Sequence, residues 1–325
     1  MRTASEKLAI IRLVEESELS VRRTLREIRV SRSSFYRWYA AYAQDGLDGL
    51  ENQGGTSRRH WNRIPDSVRA RIVDIALESP DLTPRELAWH ITDTHDYFVS
   101  ESSVYRILKG HDLITSPQFM VMSAADRFQH PTCRVHELWQ TDFTYFRVVG
   151  WGWYFLSTVL DDYSRYIITW RLTTTMAAAD VTGTLEDALK ITGLSEARVR
   201  HKPRLLSDNG PCYISGELKS WLKDRDMEHT RGAPYHPQTQ GKIERYHRSM
   251  KNVIKLEHYY FPWELEKAIA EWVNHYNHER YHESLDNVTP ADVYEGRRND
   301  ILDQRAIIKS RTLNQRKLHN LRLAG

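Results

Sequence analysis

The hydrophobic period of the chain changes once, at Leu138, and that change limits the kinds of fold open to each part. Before it, apolar residues recur at the spacing of helices buried on one face. After it, Leu138–Val149, Trp153–Leu160 and Tyr166–Thr174 are rich in aromatic and β-branched residues. Turn signals at Gly150 and Gly152 and across Asp161–Arg165 separate them, which predicts three antiparallel strands. A helix at 177–192, a short strand Arg204–Ser207, a helix at 215–226, a strand Glu228–Arg231 and a long helix from Gln240 follow. A strand meander that gives way to alternating strands and helices predicts a mixed α/β sheet covered by helices.

Two helical triples precede the sheet. In residues 1–50, Ile10, Ile11 and Val14 stand at helical spacing, Ser20 caps a second helix to Ile28, and Ser31 caps a third. Phe35, Trp38 and Tyr42 face inward, which leaves Arg32, Ser33, Tyr36 and Arg37 outward. Ser20–Ala40 holds six Arg and one Glu. A short turn before a basic third helix suits a helix-turn-helix, whose last helix enters the major groove. A plain bundle with a solvated basic face would show the same pattern. The turn places Arg29 where Gly is common, and left-handed backbone there costs about 1–2 kcal/mol. Residues 51–63 read as a linker. A second module, 64–114, has helices at Asp66–Glu78, Pro84–Thr94 and Glu101–Lys109. Its Thr83-Pro84-Arg85-Glu86 is a capping box with Pro at the first helical position. Residues 115–135 read as another linker. Two modules in tandem would read a longer DNA site than one.

The formal charge of +3 conceals opposed regions. Residues 134–255 hold 18 basic and 14 acidic side chains, 256–296 hold 2 and 9, and 297–325 hold 8 and 2. The acidic segment could pack against a basic one in another subunit. The longest near-continuous apolar run, Trp151 to Leu160, is about half of a membrane span, so no membrane partner is expected. Charge at Arg2, Glu6 and Lys7 occupies the place of a signal peptide's apolar stretch. Two cysteines, Cys133 and Cys212, make no disulfide framework, and a reducing compartment is the natural reading.

Three carboxylates carry the chemistry. Asp142 lies within the first strand, in Trp139-Gln140-Thr141-Asp142, where a charge is costly unless paired or metal-bound. Asp208 follows the fourth strand in Ser207-Asp208-Asn209-Gly210, at the carboxyl end where α/β sites collect. Glu244 lies on the long helix. Hard cations such as Mg²⁺ take oxygen ligands of this kind. Two ions about 3.5–4 Å apart can activate an attacking oxygen and stabilise the leaving one. Taken singly, Asp142 could pair with a buried Arg, Asp208 could make a turn, and Glu244 could pair with Arg248. Arg248 and Lys251, at i+4 and i+7 from Glu244, put a cationic stripe on its face, as an entering phosphate backbone would require.

The combination resembles bacterial insertion-sequence transposases of the retroviral-integrase superfamily, with their DDE triad on an RNase H-like fold. The resemblance runs through the helix-turn-helix pair, the Trp-Gln-Thr-Asp strand, Ser-Asp-Asn-Gly, Pro234-Tyr235-His236-Pro237-Gln238-Thr239-Gln240-Gly241-Lys242-Ile243-Glu244-Arg245, and Tyr276-Asn277-His278-Glu279-Arg280. It implies an RNase H-like mixed-sheet catalytic core at 136–256, preceded by all-α helix-turn-helix modules and followed by a helical segment, 257–325, with a basic tail. It also implies that Asp142, Asp208 and Glu244 are catalytic and hold two Mg²⁺ or Mn²⁺ ions. Water, then a 3′-hydroxyl, would attack a phosphodiester without a covalent protein–DNA intermediate. The partners implied are double-stranded DNA, as element ends and target, and further copies of the chain in a homo-oligomer on DNA. The place implied is the bacterial cytoplasm, at the nucleoid. Gln240, Arg248 and Lys251 match positions that touch DNA ends in integrases, and Tyr235, His236, Gln238 and Lys242 join them as expected contacts. Many relatives carry a leucine zipper, and this sequence departs from them in having no sustained heptad.

Asp161 and Asp162, in the second turn with Arg165 nearby, are expected to be structural. His275, His278 and His282 have helical metal spacing, but no Cys lies near them, and zinc is not expected there.

Overall fold

The computed structural model describes residues 3–17, 19–50, 61–111, 113–114, 132–195, 202–232 and 241–323. Most of both expected linkers, and the loop 233–240 with Tyr235, His236, Gln238 and Gln240, lie outside the described residues. The chain forms two compact units, Met1–Arg63 with Leu318–Gly325, and Ile64–Lys317.

In the first unit, α1 (Ala4–Glu15), α2 (Val21–Glu27) and α3 (Arg32–Gly49) close around Ile11, Val14, Leu25, Val30, Phe35 and Leu50. Thr3 and Glu6 cap α1 reciprocally, each side chain accepting from the other's backbone N–H. Ser31 accepts from the Ser34 N–H and so starts α3. The turn between α2 and α3 is made with Arg29 at φ 53°, and the Val30 N–H returns to the Leu25 carbonyl at 2.9 Å. Left-handed backbone is thus accepted at a residue with a Cβ. α3 breaks at Gly46, φ 62° and ψ −141°. Beyond the break Leu50 is fully buried, and its carbonyl accepts from the buried Lys7 Nζ at 2.8 Å. Asn320 closes the unit by donating to the Trp61 and Arg63 carbonyls.

The second unit begins with α4 (Asp66–Glu78), α5 (Pro84–His95) and α6 (Glu101–Gly110), packed on Ile72, Leu87, Ile91, Val104 and Ile107. The capping box at Thr83 and Glu86 forms as expected. Then come β1 (Leu138–Val148), β2 (Gly152–Asp161), β3 (Ile167–Thr173), α7 (Ala178–Ile191), β4 (Arg204–Ser207), α8 (Pro211–Ile214), α9 (Gly216–Asp224) and β5 (His229–Arg231). The sheet order is β3-β2-β1-β4-β5, with β1–β3 antiparallel and β4 and β5 parallel to β1. It is a mixed sheet, as the sequence predicts. After it come α10 (Gly241–Ile254), α11 (Pro262–His278), α12 (Pro290–Tyr294) and α13 (Arg298–Arg322).

Strand alternation sorts the two faces. Phe146, Val148, Leu156 and Leu160 pack with Ile243, Tyr246 and Met250 of α10 and Ile269 and Trp272 of α11. On the other face Trp139, Val159, Ile168 and Leu205 pack with Val181 and Leu185 of α7, Tyr213 of α8 and Leu218 of α9.

The α4–α6 module and the segment after the core, expected as separate parts, share one unit through α13. Arg305, 5% exposed, forms a two-pronged ion pair with Asp93 of α5 at 2.8 and 2.7 Å. It also donates to the Asp286 and Asn287 carbonyls, and its guanidinium lies over the Trp89 ring. Planar, multi-donor geometry makes Arg suited to such a site. Several acidic side chains of 256–296 also find partners in the same chain: Glu283 with Arg85, Asp286 with Arg298, and Asp292 and Glu295 with Arg297. That part of the acidic segment has basic partners within the chain.

Two predictions follow from local conformation. Arg29→Gly relieves the left-handed backbone at the α2–α3 turn and, net of glycine's entropy, stabilises the first unit by about 0.5–1 kcal/mol. Hydrogen exchange of α2 and α3 amides in the full chain will slow accordingly. His282 is held well below the ordinary imidazole range, at about 3, by burial and then by Arg280, Arg165 and Arg85. The folded chain therefore keeps it neutral, whereas the unfolded chain takes up the proton below about 6.5. Its contribution is complete above pH 6.5 and is lost as pH falls toward 3. Urea titrations should show about 2 kcal/mol of this loss between pH 7 and 5, and none in His282→Gln.

Candidate active site

The β1–β4 register brings two of the three expected carboxylates together. Leu138, Trp139 and Gln140 pair in parallel with Arg204, Leu205 and Leu206. Carried two residues further, the same register sets Asp142 beside Asp208, and neighbouring strands lie about 4.8 Å apart. Asp142 shares strand parity with Gln140, whose Oε1 accepts from the Ile243 N–H at 3.2 Å, so both side chains face α10. Asp142 Oδ1 accepts from the Phe143 N–H at 2.8 Å, and Oδ2 lies 3.3 Å from Nδ1 of His247. Asp208, just beyond β4, accepts through Oδ1 from the Gly210 N–H at 2.8 Å. One side of Asp208 is open to solvent. The protein on its other side pushes its carboxyl above the ordinary range, Asp142 pushes it further the same way, and the Gly210 N–H opposes them. Two carboxylates in mutual repulsion form an oxygen-only donor pair, and hard divalent cations fit such a pair.

Glu244 is exposed on α10, one helical turn before His247. Among the described residues no three His, Cys, Asp or Glu side chains converge as a metal-binding group. The structure thus pairs Asp142 with Asp208 and does not bring Glu244 into a ligand cluster with them.

The expected cations divide. Arg248 is exposed, and Lys251 lies with its ammonium 4.6 Å from the Tyr145 ring centroid. Burial and Lys255 lower the Lys251 pKa, and Asp142 opposes them. Lys242, expected to face DNA, turns inward instead. Its side chain is 8% exposed and pairs at 2.5 Å with Asp162, itself 4% exposed, and Nζ also donates to the Asp162 carbonyl. A lysine so placed anchors the helix start. In the first unit Arg32, Ser33, Tyr36 and Arg37 are all exposed on α3, with Phe35 turned into the core.

Asp161 and Asp162 are structural. Asp161 accepts from the His136 N–H and from both the N–H and hydroxyl of Ser164. Asp162 accepts from the Gln140 amide at 2.6 Å and the Thr132 hydroxyl at 2.6 Å as well as from Lys242. The three histidines have separate surroundings: His275 contacts Glu279, His278 meets Tyr166 edge-on, and His282 meets Tyr276. Sequence reasoning missed His247 and Gln140. His247 stands at i+3 from Glu244, a spacing that shares a helix face and was there to be read.

Residues 133–237 and 225–290 match models of the integrase core domain, and residues 1–51 and 34–108 match models of homeodomain-like domains. The chain is 29% identical over 190 residues to the transposase for insertion sequence element IS629 of Shigella sonnei, over 57% of this chain and 62% of that one. It is 31% identical over 144 residues to the Gag-Pro-Pol polyprotein of mouse mammary tumor virus, over 43% of this chain and 8% of that one. The chain therefore spans less than two thirds of the length of either relative. Among solved structures, the HTLV-2 integrase catalytic core domain in complex with magnesium aligns with 50% of this chain and 97% of its own, at 19% identity and a TM-score of 0.40. The chain thus carries an integrase core domain preceded by homeodomain-like helical domains. Among the described residues no helix is long and apolar enough to cross a membrane.

The Asp162 clasp gives the test of this architecture. Asp162→Ala removes the carboxylate that answers the buried Lys242 ammonium and should cost about 3–5 kcal/mol in urea unfolding. Replacing both together, Asp162→Ala with Lys242→Met, should cost clearly less than the single change, because the buried ammonium is removed together with its counter-charge.

Proposed function

We propose that the chain is a DNA transposase that binds the ends of a mobile element through its helical modules and cuts and joins strands in its integrase core. The observation that carries this reading is the side-by-side placement of Asp142 and Asp208 at the carboxyl end of β4, with the basic face of α10 beside them. Asp142 and Asp208 would hold Mg²⁺ or Mn²⁺, with Glu244 of α10 as the third ligand that the family resemblance implies. Bound there, such ions supply charge stabilisation and a lowered pKa for attacking water. The chain's own contribution is placement. Gln140 and the Lys242–Asp162 pair fix the start of α10, His247 bears on the Asp142 carboxylate, and Arg248 and Lys251 meet the phosphate backbone. The exposed Arg32, Ser33, Tyr36 and Arg37 would read the element end in the major groove. Joining two ends needs two active sites, so the working form is a homo-oligomer on DNA in a bacterial cell.

Strand-transfer assays on any inverted repeats found in the DNA flanking the coding region test this. Asp142→Ala and Asp208→Asn should abolish cleavage and joining while leaving end binding intact in gel shifts. Joining that survives in both variants would remove the carboxylates from the chemistry. A wild-type chain that binds ends and never cuts them would make it a DNA-binding regulator.

A further inference from the structure

On the α7-facing side of β1 the side chains pass from covered to open. Trp139 and Thr141 are fully buried, Phe143 is half-buried against Tyr213, Tyr145 is 50% exposed and Arg147 is exposed. Across the ladder, Trp153 lies opposite Arg147 and is 53% exposed. The helices that cover the rest of this face leave Tyr145, Arg147 and Trp153 bare. The Tyr145 and Trp153 rings meet edge-to-face, centroids 5.4 Å apart at 76°, so they form one ordered aromatic surface. Lys251 of α10 sits on the Tyr145 ring at the rim.

The surface is cationic as well as aromatic. Arg147 is the one charged residue from Phe143 to Thr158, and every charged residue from Arg245 to Leu256 is basic. No carboxylate in either stretch opposes a phosphate backbone. Asp142 and Tyr145, three residues apart, leave opposite faces of β1, and Lys251 links them around the strand: it lies over the Tyr145 ring and within reach of the Asp142 charge. Paired bases in a duplex hide their faces in the stack, whereas unpaired bases offer them to aromatic side chains, and cations hold the adjoining phosphates. An apolar contact with a second copy would have no use for the exposed Arg147 between the two rings or for Lys251 at the rim.

We propose that Tyr145, Arg147 and Trp153, with Lys251 at the rim, form a stacking platform for unpaired bases of a DNA strand. The proposal deepens the reading of Asp142 and Asp208 as a DNA-processing site, since a strand opened beside them reaches this surface by passing Lys251 around β1.

The test compares two probes on the full chain by fluorescence anisotropy: a single-stranded thymidine oligonucleotide of about 12 nucleotides, and its abasic counterpart of equal charge. The wild type should bind the thymidine strand at least about tenfold more tightly than the abasic one. Tyr145→Ala and Trp153→Ala should each weaken thymidine binding about 5- to 100-fold with little change on the abasic strand. Tyr145→Phe, which keeps the ring, should restore binding. Equal affinity of the wild type for both strands, or thymidine binding unchanged in both alanine variants, would overturn the proposal. So would a loss in Tyr145→Phe as large as in Tyr145→Ala. A change of oligomeric state in the alanine variants with strand binding intact would also overturn it, and would assign the surface to a second copy. Asp142→Ala separates the two readings. It should lose joining and keep thymidine binding, and a wild type that binds the strand yet never joins ends would keep the platform and remove only the catalytic reading.

Discussion

The core depends on one buried carboxylate. Asp162, at the turn after β2, accepts from the Gln140 amide of β1, from the Thr132 hydroxyl before β1, and from Lys242 in the first turn of α10. A charge in that position is tolerable only because each of these donors answers it. The same donors fix three elements relative to one another: the strand with Asp142, the turn that follows β2, and the helix with Glu244, His247 and Lys251. Gln140 completes the arrangement by accepting from the Ile243 N–H while donating to Asp162. The site residues are therefore positioned by a polar clasp next to them, and the clasp uses side chains the chemistry does not need.

From that clasp the two faces of β1 acquire different uses. Gln140 and Asp142 point toward α10, where His247 meets the Asp142 carboxylate. Tyr145 and Arg147 point the other way, past the reach of α7 and α8, and remain open. A strand alternates its side chains regardless of function, so one β1 supplies a half-buried carboxylate to one face and an aromatic-cationic surface to the other within six residues. β4 is short and ends at Ser207, and Asp208 emerges at that end beside Asp142.

Much of this was legible in the chain. The change of period at Leu138 marks the sheet, and the strand and helix positions read from it agree with those observed to within a residue or two. The Thr83 capping box and the turn at Arg29 are local signals, and local signals survive into the fold. Lys242 was misread because it shares a helix with the basic, exposed Arg245 and Arg248, while its partner, Asp162, lies 80 residues away. His247 was passed over although its i+3 spacing from Glu244 puts it on that residue's helix face. Its importance comes from Asp142 on a different element. The acidic stretch after 256 looked like a surface for another subunit, yet Arg85, Arg297 and Arg298 take up part of it within the chain.

By itself, the sequence determined the elements, the mixed sheet, the candidate carboxylates and the basic faces of α3 and α10, because periodicity, capping and local charge act over a few residues. Tertiary structure alone decided which of those charges meet. It set Asp142 beside Asp208 through the β1–β4 register, left Glu244 exposed, sank Lys242 against Asp162, and joined the α4–α6 module to the core through Arg305. Each depends on desolvation and on pairing between distant residues, and the free energy of a charge is settled by what surrounds it in space.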